Sequence, residues 1–220
     1  MTPSEIETAA RRMLNAAGDK LWSSEEIIEN YLYFAAMEMA SETFCIQNRY
    51  STTTVADQQE YAVPTRMLAI KRLEWNSQKL KPISFQKLDS IDLNTNTTVT
   101  GDPQYYYNFD DSFGLYPAPS TADQTIKVYS FDEPSVPTST STLEIPSRFH
   151  PYLVIGVAYY MSLKELGHPH TNKLEWQWNH SNNRHNAIDK VRRSVRMMNK
   201  DNFNIVINEN DQPSTYLGMI

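Results

Sequence analysis

The chain has 220 residues, 40% of them hydrophobic and 21% charged, with a formal net charge of -6. Those proportions suit a globular protein long enough to bury a sizeable core, and they argue against global disorder. The acidic balance speaks against a protein that grips nucleic acid by its phosphates, and the single cysteine, Cys45, has no partner for an internal disulfide, which fits a reducing compartment.

In chain order the residues read as helices, then strands, then helices. Met1-Thr-Pro-Ser-Glu5 lacks the basic and apolar regions of a signal peptide, and it is a good helix start instead. Thr2 can cap, Pro3 fits the first helical position, and Glu5 completes a capping box. Ile6, Ala9, Ala10, Met13 and Leu14 then form an apolar stripe that Gly18 ends. Ser23-Ser-Glu-Glu26, between Trp22 and Ile27, predicts a second capped helix to about Thr43. Its inward stripe is Ile27, Ile28, Tyr31, Leu32, Ala35 and Met39. Cys45 falls late in this apolar pattern and reads as a small buried hydrophobe.

From Ser51 the period changes. Thr52 to Val55 is predicted as a strand, Ala56 to Gln59 as a turn, and Glu60 to Val63 as the returning strand, stopped by Pro64. Leu68 to Trp75 reads as a strand, Asn76-Ser77 as its turn, and Lys79 to Ile83 as the return. Ser84 can cap a short helix through Leu88, and 94–103 is a polar loop. Gln104 to Phe109, Phe113 to Tyr116 and Thr125 to Phe131 are three further strands, with Asp110 to Ser112 and Ala118 to Asp123 as turns. Pro134 to Thr142 has no periodicity and reads as a connector.

Ser147 can cap the next helix, whose apolar residues are Phe149, Leu153, Val154, Ile155, Val157, Tyr160, Met161 and Leu163. The run from Tyr152 to Leu163 is shorter than the about 20 apolar residues of a membrane span, so a buried core helix is expected. His168-Pro-His170 breaks it. One long helix is predicted from Asn172 to Asn199, with Leu174, Trp178, Ile188, Val191, Val195 and Met198 inward. The fold class expected is α+β: a helical bundle domain (1–49 and 143–200) with an inserted, mostly antiparallel β-domain and connector (50–142). Residues 201–220 are expected to form an extended tail in which Phe203, Ile205 and Ile207 alternate with polar residues, ending in Tyr216, Leu217, Met219 and Ile220.

No catalytic pattern emerges, and no enzyme or cofactor is expected. His180 and His185 are five apart, so they do not share a helical face, and His168 and His170 flank a proline. Six scattered glycines supply neither a phosphate loop nor a dinucleotide fingerprint. Asp110-Asp111 is explained by a turn. The notable charge cluster is Arg184, Lys190, Arg192, Arg193, Arg196 and Lys200 on the last helix, in contrast to the first sixty residues, which hold ten acidic and four basic side chains. This is either a solvated helix face or one half of a head-to-tail contact. Thirteen tyrosines, three of them consecutive at Tyr105, Tyr106 and Tyr107, lean toward a binding surface.

An ordered set of short motifs runs from about 20 to 165. It comprises Leu21-Trp-Ser-Ser-Glu-Glu-Ile-Ile, Tyr61-Ala-Val-Pro64, Leu68-Ala-Ile-Lys-Arg-Leu-Glu-Trp-Asn76 and Leu80-Lys-Pro-Ile-Ser84 with Leu88-Asp89. Gly101-Asp-Pro-Gln-Tyr, Gly114-Leu-Tyr-Pro-Ala-Pro119, Ile126-Lys-Val-Tyr129 and Ile145-Pro-Ser-Arg-Phe-His-Pro-Tyr-Leu-Val154 follow. The set resembles the head-to-tail connector, or adaptor, proteins of tailed phages, similar to the tail tubular protein A type of short-tailed phages.

The resemblance implies a structural virion protein of the neck, assembled in the host cytoplasm. It would form a homo-oligomeric ring, usually of about twelve copies, that joins the portal protein to the next tail component (nozzle or tail tube) and lines part of the DNA channel. Contact with passing DNA would be transient and non-specific, and no membrane would be involved. On that footing the C-terminal residues Phe203, Ile205, Ile207, Tyr216, Leu217, Met219 and Ile220 are expected to dock on the portal. Arg184, Arg192, Arg193 and Arg196 are expected at the subunit interface, and Tyr105, Tyr106 and Tyr107 toward the tail partner. The other readings are a tail-completion or stopper protein, and a stand-alone carbohydrate- or protein-binding module using the tyrosine strand.

Overall fold

The computed structural model describes residues 1–16, 20–91, 99–165, 168–183 and 185–198. The fold is α+β. In chain order the helices are α1 (Pro3–Met13), α2 (Ser24–Glu26), a π-helical segment (Ile27–Leu32), α3 (Tyr33–Thr43), α4 (Phe85–Ile91), α5 (His150–Lys164), α6 (Thr171–Trp178) and α7 (Ala187–Met198). The strands are β1 (Gln47–Thr53), β2 (Glu60–Ala62), β3 (Met67–Trp75), β4 (Gln78–Lys79), β5 (Lys81–Pro82), β6 (Thr100–Gly101), β7 (Tyr105–Phe109), β8 (Ser112–Tyr116), β9 (Ala118–Pro119) and β10 (Thr125–Asp132). The chain divides into two compact units, one of Met1–Asn48 with the described part of Phe131–Asp201, the other centred on Arg49–Ser130.

The helical unit forms where the sequence supplies caps. Thr2 and Glu5 make the full reciprocal box at the start of α1. Ser23 accepts from the Glu26 backbone N–H and opens α2. Ile6 and Ala10 of α1, Leu32, Ala35 and Met39 behind α2, Leu153, Val157 and Met161 of α5, and Ile188 and Val191 of α7 fill the core. Burial of each large side chain contributes roughly 1.5–3 kcal/mol. Polar bonds fix how the elements meet. Arg11 Nε donates to Glu7 at 2.9 Å and Ser24 donates to the same oxygen at 2.7 Å, joining α1 to the start of α2. The buried Trp22 indole donates to the Met161 carbonyl at 3.1 Å. Lys164 reaches Glu26 at 2.7 Å, and this contact above all holds the Glu26 carboxyl below its ordinary range.

Three stripe residues depart from expectation. Met13, Leu163 and Met198 are exposed rather than inward. The long terminal helix is also not continuous, because α6 stops at Trp178 and α7 starts at Ala187. Asparagine side chains compete with the helical ladder there. Asn183 donates to the Trp176 carbonyl at 2.7 Å, and Asn186 caps α7 by accepting from the Asp189 N–H at 2.7 Å while donating to the His180 carbonyl.

The β-unit is built on two four-stranded sheets, ordered β1-β10-β3-β4 and β2-β8-β7-β5, with a two-stranded pair β6-β9. Their shared core is Tyr61, Leu73, Trp75, Leu80, Tyr106, Phe113, Leu115, Ile126 and Val128. The β3–β4 hairpin turns at Asn76-Ser77, both with positive φ, as a two-residue loop twisted like its strands requires. The β7–β8 hairpin turns at Asp110-Asp111, with Asp110 left-handed. The expected hairpin between Thr52–Val55 and Glu60–Val63 is not formed. β1 lies beside β10, as the bonds from Thr54 N to Gln124 O and from Asp132 N to Ile46 O show, and β2 pairs with β8. The two short pairings β5–β7 and β6–β9 are parallel.

Candidate interaction surfaces

The basic helix is only partly a free surface. Arg192 is committed within the unit: Nη2 reaches Glu42 at 2.7 Å, Nη1 reaches Asp189 at 2.5 Å, and Nε donates to the Glu42 carbonyl at 3.1 Å. It thus satisfies a last-turn carbonyl of α3 and ties α7 to that helix. Arg193 donates to the Asp189 carbonyl and meets the His185 ring. Arg196 and Lys190 are exposed, and their side chains pair with no described residue. Beside Arg196, Met197 is 74% exposed and Met198 49%. Arg184 lies outside the described residues, as do Phe203, Ile205, Ile207, Tyr216, Leu217, Met219 and Ile220.

Tyr105, Tyr106 and Tyr107 do not form one face, because successive side chains of a strand point to opposite sides. Tyr106 is buried in the core between the sheets. Tyr107, with half-buried Tyr105 against it, packs on the other side with Ile83, Leu88 and Tyr116. The Tyr107 ring lies over Gly114, its partner in β8, where an added Cβ would sit 1.9 Å from the ring. Burial, then the Glu60 carboxylate at 3.4 Å from its hydroxyl, push the Tyr107 phenol up to about 12. The aromatic surface left on that side of the β-unit is Phe85 and Phe109, 42% and 55% exposed and edge-to-face at 5.6 Å.

A second aromatic surface, on the helical unit, was not anticipated. Phe34 is 46% exposed on α3 and lies 5.8 Å from the Tyr160 ring of α5. Tyr33 adjoins Phe34 at 6.3 Å, and Tyr159 adjoins Tyr160 at 5.3 Å. Glu38 fixes this cluster from behind. Its carboxylate accepts from the Tyr160 hydroxyl at 2.8 Å, the Trp178 indole at 2.5 Å and the Asn179 amide. Burial, followed by the bond to Glu38, raises the Tyr160 phenol far above its ordinary pKa. The sequence signal was an aromatic outside the apolar stripe: Phe34 falls between the inward positions Leu32 and Ala35.

Cys45 is buried, and burial pushes its thiol pKa up, which makes it a poor nucleophile. Among the described residues, no group of three His, Cys, Asp or Glu side chains could hold a metal ion, and no helix is long and apolar enough to cross a membrane. What the described surfaces offer is contact chemistry: rigid aromatics, exposed methionines and cations without partners.

The model of the family described as SU10 adaptor protein matches residues 1–202, spanning both units. The chain belongs to the SU10 adaptor protein family, a family of phage structural adaptors. Membership implies a structural place in the virion and contact with other head or tail components. No curated protein matches the chain at a significant level.

Proposed function

We propose that the protein forms a homo-oligomeric ring of the phage neck, of about twelve copies, joining the portal to the next tail component and lining part of the DNA channel. The observation that carries this reading is the family match over residues 1–202, which covers helical and β-units together. The resemblance of the ordered motifs to tail tubular protein A-type connectors supports it. In this reading the helical unit, 1–49 with 143–200, builds the ring and 50–142 is the insert that meets the tail. Because Tyr106 and Tyr107 are buried, that contact uses the strand's remaining surface at Tyr105 with Phe85 and Phe109. The burial of those two rings also disfavours a stand-alone carbohydrate-binding module, which needs exposed aromatic faces. Residues 201–220 serve as the portal-docking arm.

Imaging of the purified protein alone and with a portal ring tests the reading. Annular assemblies on the portal are expected, and a monomer that ignores the portal would overturn it. Removing 201–220 is expected to leave the melting temperature nearly unchanged and abolish portal attachment. Attachment that survives the deletion would remove the arm from the account. DNA binding at physiological salt is expected to be weak and indifferent to sequence.

A further inference from the structure

The ring reading requires each copy to present two different, complementary surfaces, since a heterologous contact repeats head to tail until it closes. Two surfaces of the helical unit have that relation. The first is the aromatic cluster of Phe34, Tyr33, Tyr159 and Tyr160. Phe34 is exposed although the buried stripe of its helix is already filled by Leu32, Ala35, Ala36 and Met39. The cluster is held before any partner arrives, because Tyr160 is anchored on Glu38 at 2.8 Å, so little side-chain entropy remains to be lost on docking. It is also electronegative. Glu175 is exposed with no described partner, and it stands near enough to Tyr159 to help raise that phenol's pKa, after burial.

The second surface is the end of α7. Arg196 is exposed and pairs with no described residue, and Met197 and Met198 project beside it. A guanidinium is attracted to aromatic faces and to a carboxylate, and thioethers pack favourably against ring edges. Arg192, four residues earlier, is bound to Glu42 and Asp189, so it holds α7 in place while Arg196 stays available.

We propose that the aromatic surface around Phe34, with Glu175 at its rim, is one side of a contact between copies of this chain, and that it receives the Arg196–Met197–Met198 end of α7 from a second copy. This rests on the ring reading and adds the residues that would form the contact.

The test uses the full chain with single cysteines introduced by Phe34→Cys and Met197→Cys. Native Cys45 is 6% exposed and adds little background. A mixture of the two variants, assembled and treated with a short bismaleimide, is expected to give covalent 34–197 dimers, with far fewer from either variant alone. Arg196→Glu is expected to abolish assembly at an unchanged melting temperature, and adding Glu175→Lys to it is expected to restore part of the assembly. If annular assemblies form but no 34–197 link appears and Arg196→Glu still assembles, this contact is wrong while the ring reading stands. If the wild-type chain forms no assembly, even on a portal ring, the ring reading fails and this contact falls with it.

Discussion

Gly156→Ala should destabilise the helical unit, although alanine is the better helix former. An added Cβ at 156 would sit 2.8 Å from Cη2 and Cζ3 and 2.9 Å from Cζ2 of Trp178. Carbon atoms in good contact are about 3.5–4.0 Å apart, so the ring must retreat by roughly 0.7 Å. Trp178 is fully buried, and its Nε1 is bound to Glu38 at 2.5 Å, so retreat strains both packing and that bond. Overpacking costs about 1–3 kcal/mol, and alanine returns about 1 kcal/mol of helix propensity, leaving a net loss of about 0–2 kcal/mol.

The sharper measurement is a double-mutant cycle with Trp178→Phe, which removes the far ring atoms. In that background only the helix-propensity gain remains, so Gly156→Ala should stabilise by about 1 kcal/mol, giving a coupling of about 1–3 kcal/mol. Urea denaturation followed by circular dichroism reads both. Additive effects within about 0.5 kcal/mol, or stabilisation of the wild type by Gly156→Ala, would refute the packing argument.

Gly114→Ala, in a strand where alanine is normally preferred, should cost at least about 1–3 kcal/mol because its Cβ would occupy the Tyr107 ring position; the melting temperature reads this. Glu38→Gln should lower stability by about 1–3 kcal/mol, since three donors converge on a carboxylate and glutamine offers one acceptor oxygen and an amide; thermal denaturation checks it. Tyr31 and Tyr107 are raised from 10.0 to about 12, mainly by burial, so their contribution is complete below pH 10 and lost as pH rises toward 12; a melting temperature that stays flat across that window would contradict the assignment. Arg192→Ala should cost up to about 1 kcal/mol, because its pairs are partly solvent-screened, whereas Arg196→Ala should stay within about 0.5 kcal/mol of wild type in the isolated chain; chemical denaturation compares them.

Features set by neighbouring residues were legible in the sequence. The caps at Thr2 and Ser23, the turn at Asn76-Ser77, the burial of Cys45 and the α+β class all follow from short-range chemistry: a hydroxyl that meets a free N–H, a loop that needs positive φ, and a period that changes from helical to alternating. The ordered motifs likewise pointed to phage adaptors.

Choices among distant partners were not legible. The strand signal at Thr52–Thr53 was sound, yet only tertiary packing could give β1 to β10 rather than to β2, which follows it in the chain. The run Tyr105 to Tyr107 looked like one surface until the pleat sent Tyr106 into one core and Tyr107 into another. The α6–α7 break depends on Asn183 and Asn186 reaching backbone carbonyls several residues away. Which arginines are engaged within the fold was decided by tertiary structure: Glu42, 150 positions from Arg192, meets its guanidinium, whereas Arg196 pairs with no described residue, because an ion pair forms between residues that folding brings together.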